Sequence, residues 1–126
     1  MIVADSSTWV AYIERGVGPD VDALQGAVDD HAVRMAPAVL VELLSGPQIS
    51  AETVGFLTSI PLLEILPGYW QRTGLLRAGV LAVGRRAGLG DALIAQSCLD
   101  YDLPLLTRDH DFAAFTAAGL RLWARG

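Results

Sequence analysis

The chain has 126 residues, of which 52% are apolar and 18% are charged, so it can bury a core and fold as one domain. Its formal net charge is −5 and all nine basic residues are arginines, which excludes chemistry that depends on lysine, such as Schiff-base catalysis. The apolar runs are too short to cross a bilayer, the first residues do not form a secretory signal, and the single cysteine, Cys98, cannot form an internal disulfide. We therefore expect a cytoplasmic protein with no membrane segment and with Cys98 in its core.

Short apolar segments that predict strands alternate with longer segments of helical periodicity, which is typical of a parallel sheet covered by helices. The predicted strands are residues 2–4, 32–36, 62–66, 105–107 and 120–123. The predicted helices are residues 6–16, 19–30, 38–45, 50–59, 68–86, 91–101 and 112–118, the first of them capped by hydroxyls from Ser6, Ser7 and Thr8. We expect a single three-layer α/β/α domain, residues 1–126, with a mainly parallel sheet of about five strands whose order the sequence leaves open.

Four acidic residues stand where these elements meet one edge of the sheet. Asp5 ends the first strand, Asp109 follows the strand that ends at Thr107, and Asp91 begins a helix. Ligands of open α/β sheets bind at the carboxyl ends of the strands, so these residues are expected to converge. Glu42 lies in the first turns of an apolar helix and is expected to be at least partly buried, with an arginine or a metal as its partner.

Each acid alone has an ordinary structural interpretation as a helix cap, a helix start or a turn residue. Together they are harder to explain in this way, because crowded carboxylates repel one another and raise each other's pKa. A hard divalent cation such as Mg²⁺ or Mn²⁺ relieves this repulsion, since both prefer oxygen ligands. The sequence therefore predicts a divalent metal site at the sheet edge.

Four segments in chain order resemble the PIN domain, and more narrowly the VapC ribonuclease toxins of bacterial toxin–antitoxin pairs. These segments are Asp5-Ser6-Ser7, Val41-Glu42-Leu43-Leu44, Gly90-Asp91-Ala92-Leu93-Ile94-Ala95 and Leu105-Leu106-Thr107-Arg108-Asp109-His110-Asp111-Phe112. The resemblance implies a PIN-like, flavodoxin-like α/β/α fold and an endoribonuclease that depends on Mg²⁺, with Mn²⁺ as a substitute.

The resemblance also implies the residues of the site. The catalytic acids would be Asp5, Glu42, Asp91 and Asp109. Asp5 and Asp91 would bind the metal directly, and Glu42 and Asp109 directly or through water. Ser6, Thr107 and Asp111 would support them, and the choice between Asp109 and Asp111 as the fourth acid stays open.

An RNA substrate requires positive charge near its backbone. The candidates are Arg72, Arg77, Arg85, Arg86 and Arg108, with a solvated helix face as the alternative interpretation. Arg72 and Arg86 are two heptads apart, which places them within roughly 40° of each other on an ideal helix. Base stacking is open to Tyr12, Trp9, Tyr69 and Trp70, but core packing is the expected role of these aromatic rings.

The resemblance further implies a VapB-type antitoxin as a partner and a homodimer, with the apolar segments 39–44 and 54–60 as candidate surfaces. Two alternatives compete with the nuclease. One is a catalytically inactive PIN-like interaction module. The other is a receiver-type phosphoacceptor domain, which is disfavoured because the first strand ends in one acid and the chain has no lysine.

Overall fold

The computed structural model describes residues 1–124. Its strands are β1 (Ile2–Ala4), β2 (Val33–Arg34) and β3 (Leu105–Leu106). Its helices are α1 (Ser6–Ile13), α2 (Pro19–Asp29), α3 (Pro37–Leu44), α4 (Ala51–Ser59), α5 (Tyr69–Ala82) and α6 (Leu89–Tyr101), followed by a 3₁₀ helix (His110–Ala118). The expected α/β class with alternating strands and helices is confirmed.

The sheet is parallel and has the order β2-β1-β3, so the first strand of the chain is the central one. The predicted strands at 62–66 and 120–123 are wrong as strands, since each pairs through one bridge only, Met35 with Leu62 and Leu105 with Leu122. Leu62 lies at the edge of the sheet with 52% of its surface exposed, so little burial favours a longer pairing there. These two bridges still extend the parallel arrangement beyond β2 and beyond β3.

The end of helix α5 and the capping residue of helix α1 differ from the prediction for clear physical reasons. Helix α5 ends at Ala82 rather than at residue 86, because Gly84 takes a φ of 79° and its N–H donates to the Leu81 carbonyl. Helix α1 is capped by Asp5, whose carboxylate accepts the Thr8 N–H, and not by a hydroxyl of residues 6–8.

The core lies around the central strand. Val3 and Ala4 in β1 and both residues of β3 are fully buried, as are Trp9 and Phe115 from the surrounding helices. Helices α1 and α2 contact each other, α5, α6 and the 3₁₀ helix contact one another, and α3 touches both α1 and α6. Because β1 is the central strand, the residue that follows it lies in the middle of the sheet edge, where helix α1 begins.

Cys98 is buried in this core, as expected, and burial raises the pKa of its thiol to about 12. Within residues 1–124, no helix is both long and apolar enough to span a membrane.

Candidate metal centre

Acidic side chains from four parts of the fold converge at the carboxyl edge of the sheet. Asp5 follows β1, Glu42 lies on α3, Asp91 is in the first turn of α6, and Asp109 begins the 3₁₀ helix that contains Asp111. One carboxylate oxygen from each of Asp91, Asp109 and Asp111 lies within 4.8 Å of the other two. Burial raises the pKa of Glu42, and Asp5 raises it further because the two side chains repel.

Asp5 is the most deeply placed of these acids, with 3% of its surface exposed. Its Oδ1 accepts hydrogen bonds from the Ser7 hydroxyl at 2.7 Å and from the Thr8 N–H at 3.2 Å. Its Oδ2 accepts one from the Thr107 hydroxyl at 2.7 Å. Burial raises the pKa of Asp5, while these three hydrogen bonds act in the opposite direction.

Two hydroxyls link Asp5 to the loop after β3. The Thr107 hydroxyl donates to Asp5 and also accepts the Asp109 N–H at 2.9 Å. The Ser7 hydroxyl donates to Asp5 and also accepts the Arg108 N–H at 3.0 Å. The orientation of Asp5 is therefore coupled to the backbone of residues 107–109.

Asp91 experiences the strongest electrostatic perturbation in the site. Its pKa is raised to about 6, first by burial and then by repulsion from neighbouring carboxylates, with Asp109 and Asp111 ahead of Glu42 and Asp5. Its place at a helix N-terminus favours a negative charge, yet the shift is upward. Repulsion and burial therefore dominate at this position.

Glu42 differs from the expectation of burial. Its residue is exposed, although partial desolvation still raises its pKa, and Ser6 donates a hydrogen bond to its Oε1 at 3.4 Å. Val39 and Leu43 are the buried residues of helix α3, and Glu42 lies at the flank of this buried face, where solvent still reaches its carboxylate. No compensating cation is needed for a carboxylate that solvent reaches.

The donor set fits a hard divalent cation. Every side chain in the close group is a carboxylate, and an oxygen-only ligand set is the one that Mg²⁺ and Mn²⁺ prefer. Arg108, which the chain places beside Asp109, is paired with Asp20 instead of with the site acids. Within the described residues, the repulsion at Asp91 is thus left without an arginine partner.

Three of the five arginines that were predicted to contact RNA are bound to other parts of the chain. Arg72 forms an ion pair with Asp100 at 2.5 Å and Arg77 donates to the Ala87 carbonyl at 2.8 Å, while Arg108 pairs with Asp20. The guanidinium groups of these three arginines therefore bind acceptors within the protein.

Arg85 and Arg86 are exposed and form no ion pair within residues 1–124. The expectation that Arg72 and Arg86 share one helix face is wrong, because α5 ends at Ala82. Both arginines instead belong to the connection that leads into α6 and thus towards Asp91.

Two concave surfaces flank Glu42. A cleft of about 590 Å³ is lined by residues of α1 and α3 and by residues 46–50 and Thr53. An apolar cleft of about 360 Å³ lies between α3, α5 and α6, with Val41, Trp70 and Leu89 exposed on it. Trp70 is 64% exposed, so core packing is wrong for this ring, whereas Trp9 and Tyr69 are buried as expected.

A family model of the PIN domain matches residues 2–117. The chain belongs to the PIN domain family. This membership confirms the predicted fold class and excludes the receiver-type alternative. A comparison with curated protein sequences gave no match.

The fold of this PIN domain is similar to those of several solved structures. DNA-bound VapBC from Salmonella typhimurium has a TM-score of 0.76 at 19% identity, with 98% of each chain covered. VapBC2 from Rickettsia felis, bound to a DNA fragment from its promoter, has a TM-score of 0.75 at 20% identity, covering 98% of this chain and 100% of that chain. VapBC-5 from Mycobacterium tuberculosis has a TM-score of 0.67 at 22% identity, covering 96% and 98%.

The PIN domain thus brings the predicted acids to one edge of its sheet and places an oxygen of Asp111, as well as one of Asp109, within 4.8 Å of Asp91. Among the predicted supporting residues, Thr107 contacts Asp5 and Ser6 contacts Glu42. Ser7 was not predicted, although it binds Asp5 directly. Nothing in the sequence distinguishes Ser7 from its neighbour Ser6, because only the position of the loop after β3 gives it a second partner.

Proposed function

We propose that this PIN domain is a metal-dependent endoribonuclease, the toxin of a toxin–antitoxin pair of the VapBC kind. The observation that carries the proposal is the group of Asp91, Asp109 and Asp111, whose oxygens lie within 4.8 Å of one another. Carboxylates held this close without a cationic side chain are costly unless a ligand neutralises them. A nuclease site gains from that arrangement, because a metal held by the carboxylates can coordinate and neutralise the phosphate oxygens of the substrate.

Asp5 and Asp91 would hold Mg²⁺, or Mn²⁺ in its place, and Glu42, Asp109 and Asp111 would coordinate it directly or through water. A bound metal of this kind lowers the pKa of a coordinated water and neutralises charge on a phosphate oxygen. The chain's own residues prepare the site. Ser7 and Thr107 fix the Asp5 carboxylate, and α6 presents Asp91 from its first turn.

Arg85 and Arg86 are the best candidates for contact with the RNA backbone, since both guanidinium groups are exposed on the connection that leads to Asp91. The exposed Trp70 ring lies on the apolar cleft beside Glu42 and is suited to stacking against a base.

The partner that we propose is a VapB-type antitoxin, since the neighbouring structures are those of VapBC proteins. The cleft beside Ser6 and Glu42 offers it a binding surface that opens onto the site. We also propose a homodimer through the exposed apolar residues Val41 and Leu44 of α3, and a cytoplasmic location.

The test is cleavage of a mixed RNA substrate by the purified chain, with Mg²⁺ or Mn²⁺ and with a chelator. We expect cleavage only with the metal, and a loss of at least about 100-fold in Asp91→Asn. The matched control is Asp22→Asn, because Asp22 also lies in the first turn of a helix but is exposed on α2. Metal binding without cleavage would favour the inactive interaction module instead.

A further inference from the structure

The guanidinium of Arg108 is held by Asp20 at the start of α2 and by the Val17 carbonyl in the connection between α1 and α2. Its Nε donates to Asp20 Oδ2 at 2.7 Å, and its Nη2 donates to Asp20 Oδ1 at 3.1 Å. Nη2 also donates to the Val17 carbonyl at 2.7 Å. This two-pronged geometry is the strong form of an arginine–carboxylate pair, and it also fixes the plane of the guanidinium.

Gly18 and Thr8 adapt this part of the protein to the Asp20–Arg108 pair. Gly18 takes a φ of 148°, and a Cβ at this position would lie 2.9 Å from Arg108 Nη2 and 2.7 Å from Asp20 Oδ1. The buried Thr8 hydroxyl donates to Asp20 Oδ2 at 3.0 Å. Asp20 is therefore fixed by Thr8 as well as by Arg108, and the missing side chain at Gly18 leaves the space that the pair occupies.

Arg108 lies in the chain between two residues of the acidic site. Thr107 donates a hydrogen bond to Asp5, and Asp109 faces Asp91. Its main-chain N–H donates to the Ser7 hydroxyl, while its side chain reaches α2. Residue 108 is thus anchored through both its backbone and its side chain.

The loop that Arg108 anchors carries two of the three closest carboxylates, Asp109 and Asp111, and both are repelled by Asp91. Repulsion acts to move residues 109–111 away from α6 whenever a cation is missing. An ion pair that fixes residue 108 resists that movement. The Asp20–Arg108 pair is the ion pair that the structure places at this point.

We propose that the Asp20–Arg108 pair is a positioning device for the metal centre, which holds residues 107–111 so that Asp109 and Asp111 face Asp91. The proposal rests on the proposed function for its catalytic meaning. It also reassigns Arg108, which the sequence suggested as an RNA contact, to a role inside the protein. Arg108 and Asp20 are positioning residues, since neither touches the substrate or the metal.

The first arm of the test uses the metal-free protein and measures hydrogen exchange at the amides of Asp109 and Asp111, which donate to Thr107 Oγ1 and Asp109 Oδ1. We expect exchange to be at least about 10-fold faster in Asp20→Asn and in Arg108→Gln than in the wild type. Exchange at wild-type rates in both variants would overturn the proposal. This arm needs neither metal nor RNA, so it is independent of the proposed function.

The second arm measures Mn²⁺ affinity by calorimetry and RNA cleavage for the same variants. We expect each single variant to bind Mn²⁺ about 10-fold more weakly and to lose kcat with an unchanged KM. The double variant should lose no more than either single variant, because both substitutions remove one interaction. Arg108→Lys should recover part of the loss, since lysine restores the charge but not the two-pronged contact.

The matched control is Arg121→Gln, which breaks the exposed Arg121–Asp102 pair outside the site and should change none of these quantities. A raised KM in Arg108→Gln with wild-type Mn²⁺ affinity would make Arg108 an RNA contact and would contradict the proposal. If the wild type itself fails to bind Mn²⁺, the proposed function fails, and the exchange arm alone then decides whether the pair positions the loop.

Discussion

Asp5 and Asp91 lie at the same edge of the sheet, but their surroundings differ. Asp5 is buried, and three donors from Ser7, Thr8 and Thr107 hydrogen-bond to its carboxylate. Asp91 is only partly buried and faces other carboxylates, which contribute to raising its pKa to about 6. The protein supplies hydrogen-bond donors to the carboxylate of Asp5, whereas within the described residues the carboxylate of Asp91 faces other acids and no arginine pairs with it.

The two acids therefore differ in what they contribute to the stability of the protein. The hydrogen bonds of Asp5 cap helix α1 and join β1 to the loop after β3, so they contribute to the stability of the fold. The repulsion at Asp91 works against the fold in the metal-free protein. A substitution of the same kind should therefore have opposite effects on stability at the two positions.

The largest effect that we expect concerns metal binding at the Asp91 side of the site. A free Mn²⁺ concentration of about 100 times Kd should stabilise the wild type by about 2.7 kcal/mol, because only the folded state presents the converged carboxylates. Thermal unfolding with and without Mn²⁺ measures this gain. The gain should vanish in Asp91→Ala and persist in Asp22→Ala, and an equal gain in both variants would place the ion elsewhere.

The second largest expected effect concerns the contribution of Asp5 to the free energy of unfolding. Asp5→Ala should lower the free energy of unfolding of the metal-free protein by about 2 kcal/mol, since it removes a helix cap and leaves two hydroxyl groups without their acceptor. Urea unfolding in the presence of a chelator measures the change. Stability equal to the wild type would mean that the hydrogen bonds to Asp5 only offset the cost of burying its charge.

The smallest effect has the opposite sign. Asp91→Ala should raise the free energy of unfolding of the metal-free protein at pH 7. A shift from 3.8 to about 6 in a fully buried group would correspond to about 3 kcal/mol, and solvent screening at this partly exposed carboxylate reduces the expected gain to about 1 kcal/mol.

The gain should depend on pH in a defined direction. Between about pH 4 and pH 6, the unfolded chain has released the Asp91 proton while the folded wild type retains it, so the stability of the wild type falls as the pH rises through this window. The advantage of Asp91→Ala should therefore be small at pH 4 and complete above pH 6. An advantage that stays constant with pH would show that it does not arise from the charge of Asp91.

The sequence predicted the strands and helices that carry the acidic site better than the two outer segments of the sheet. Asp5, Asp91 and Asp109 were placed at one edge because parallel strands end together, and this rule needs only the order of strands and helices along the chain. The two outer segments, 62–66 and 120–123, were predicted as strands because they are apolar, but each pairs through a single bridge, since strand length depends on the neighbouring backbone and not on local hydrophobicity.

The tertiary links in the site could not be predicted in the same way. From the sequence, Asp20 is expected to be an ordinary acid in the first turn of a helix, and Arg108 is expected to be a cation beside the site. Their pairing depends on how the connection between α1 and α2 packs against a loop 88 residues away in the chain. The exposure of Trp70 has the same origin, because it depends on where α5 lies and not on local periodicity.

The hydrogen bond between Thr107 and Asp5 joins residues that are 102 positions apart, and this has a consequence for biosynthesis. The central strand β1 is synthesised before its neighbour β3 and before the loop that completes the pocket, because about one hundred residues separate them in the chain. A nascent polypeptide in which residues 105–111 are not yet synthesised therefore has no assembled acidic site. Closure of so long a loop also makes assembly of this corner a late event in folding.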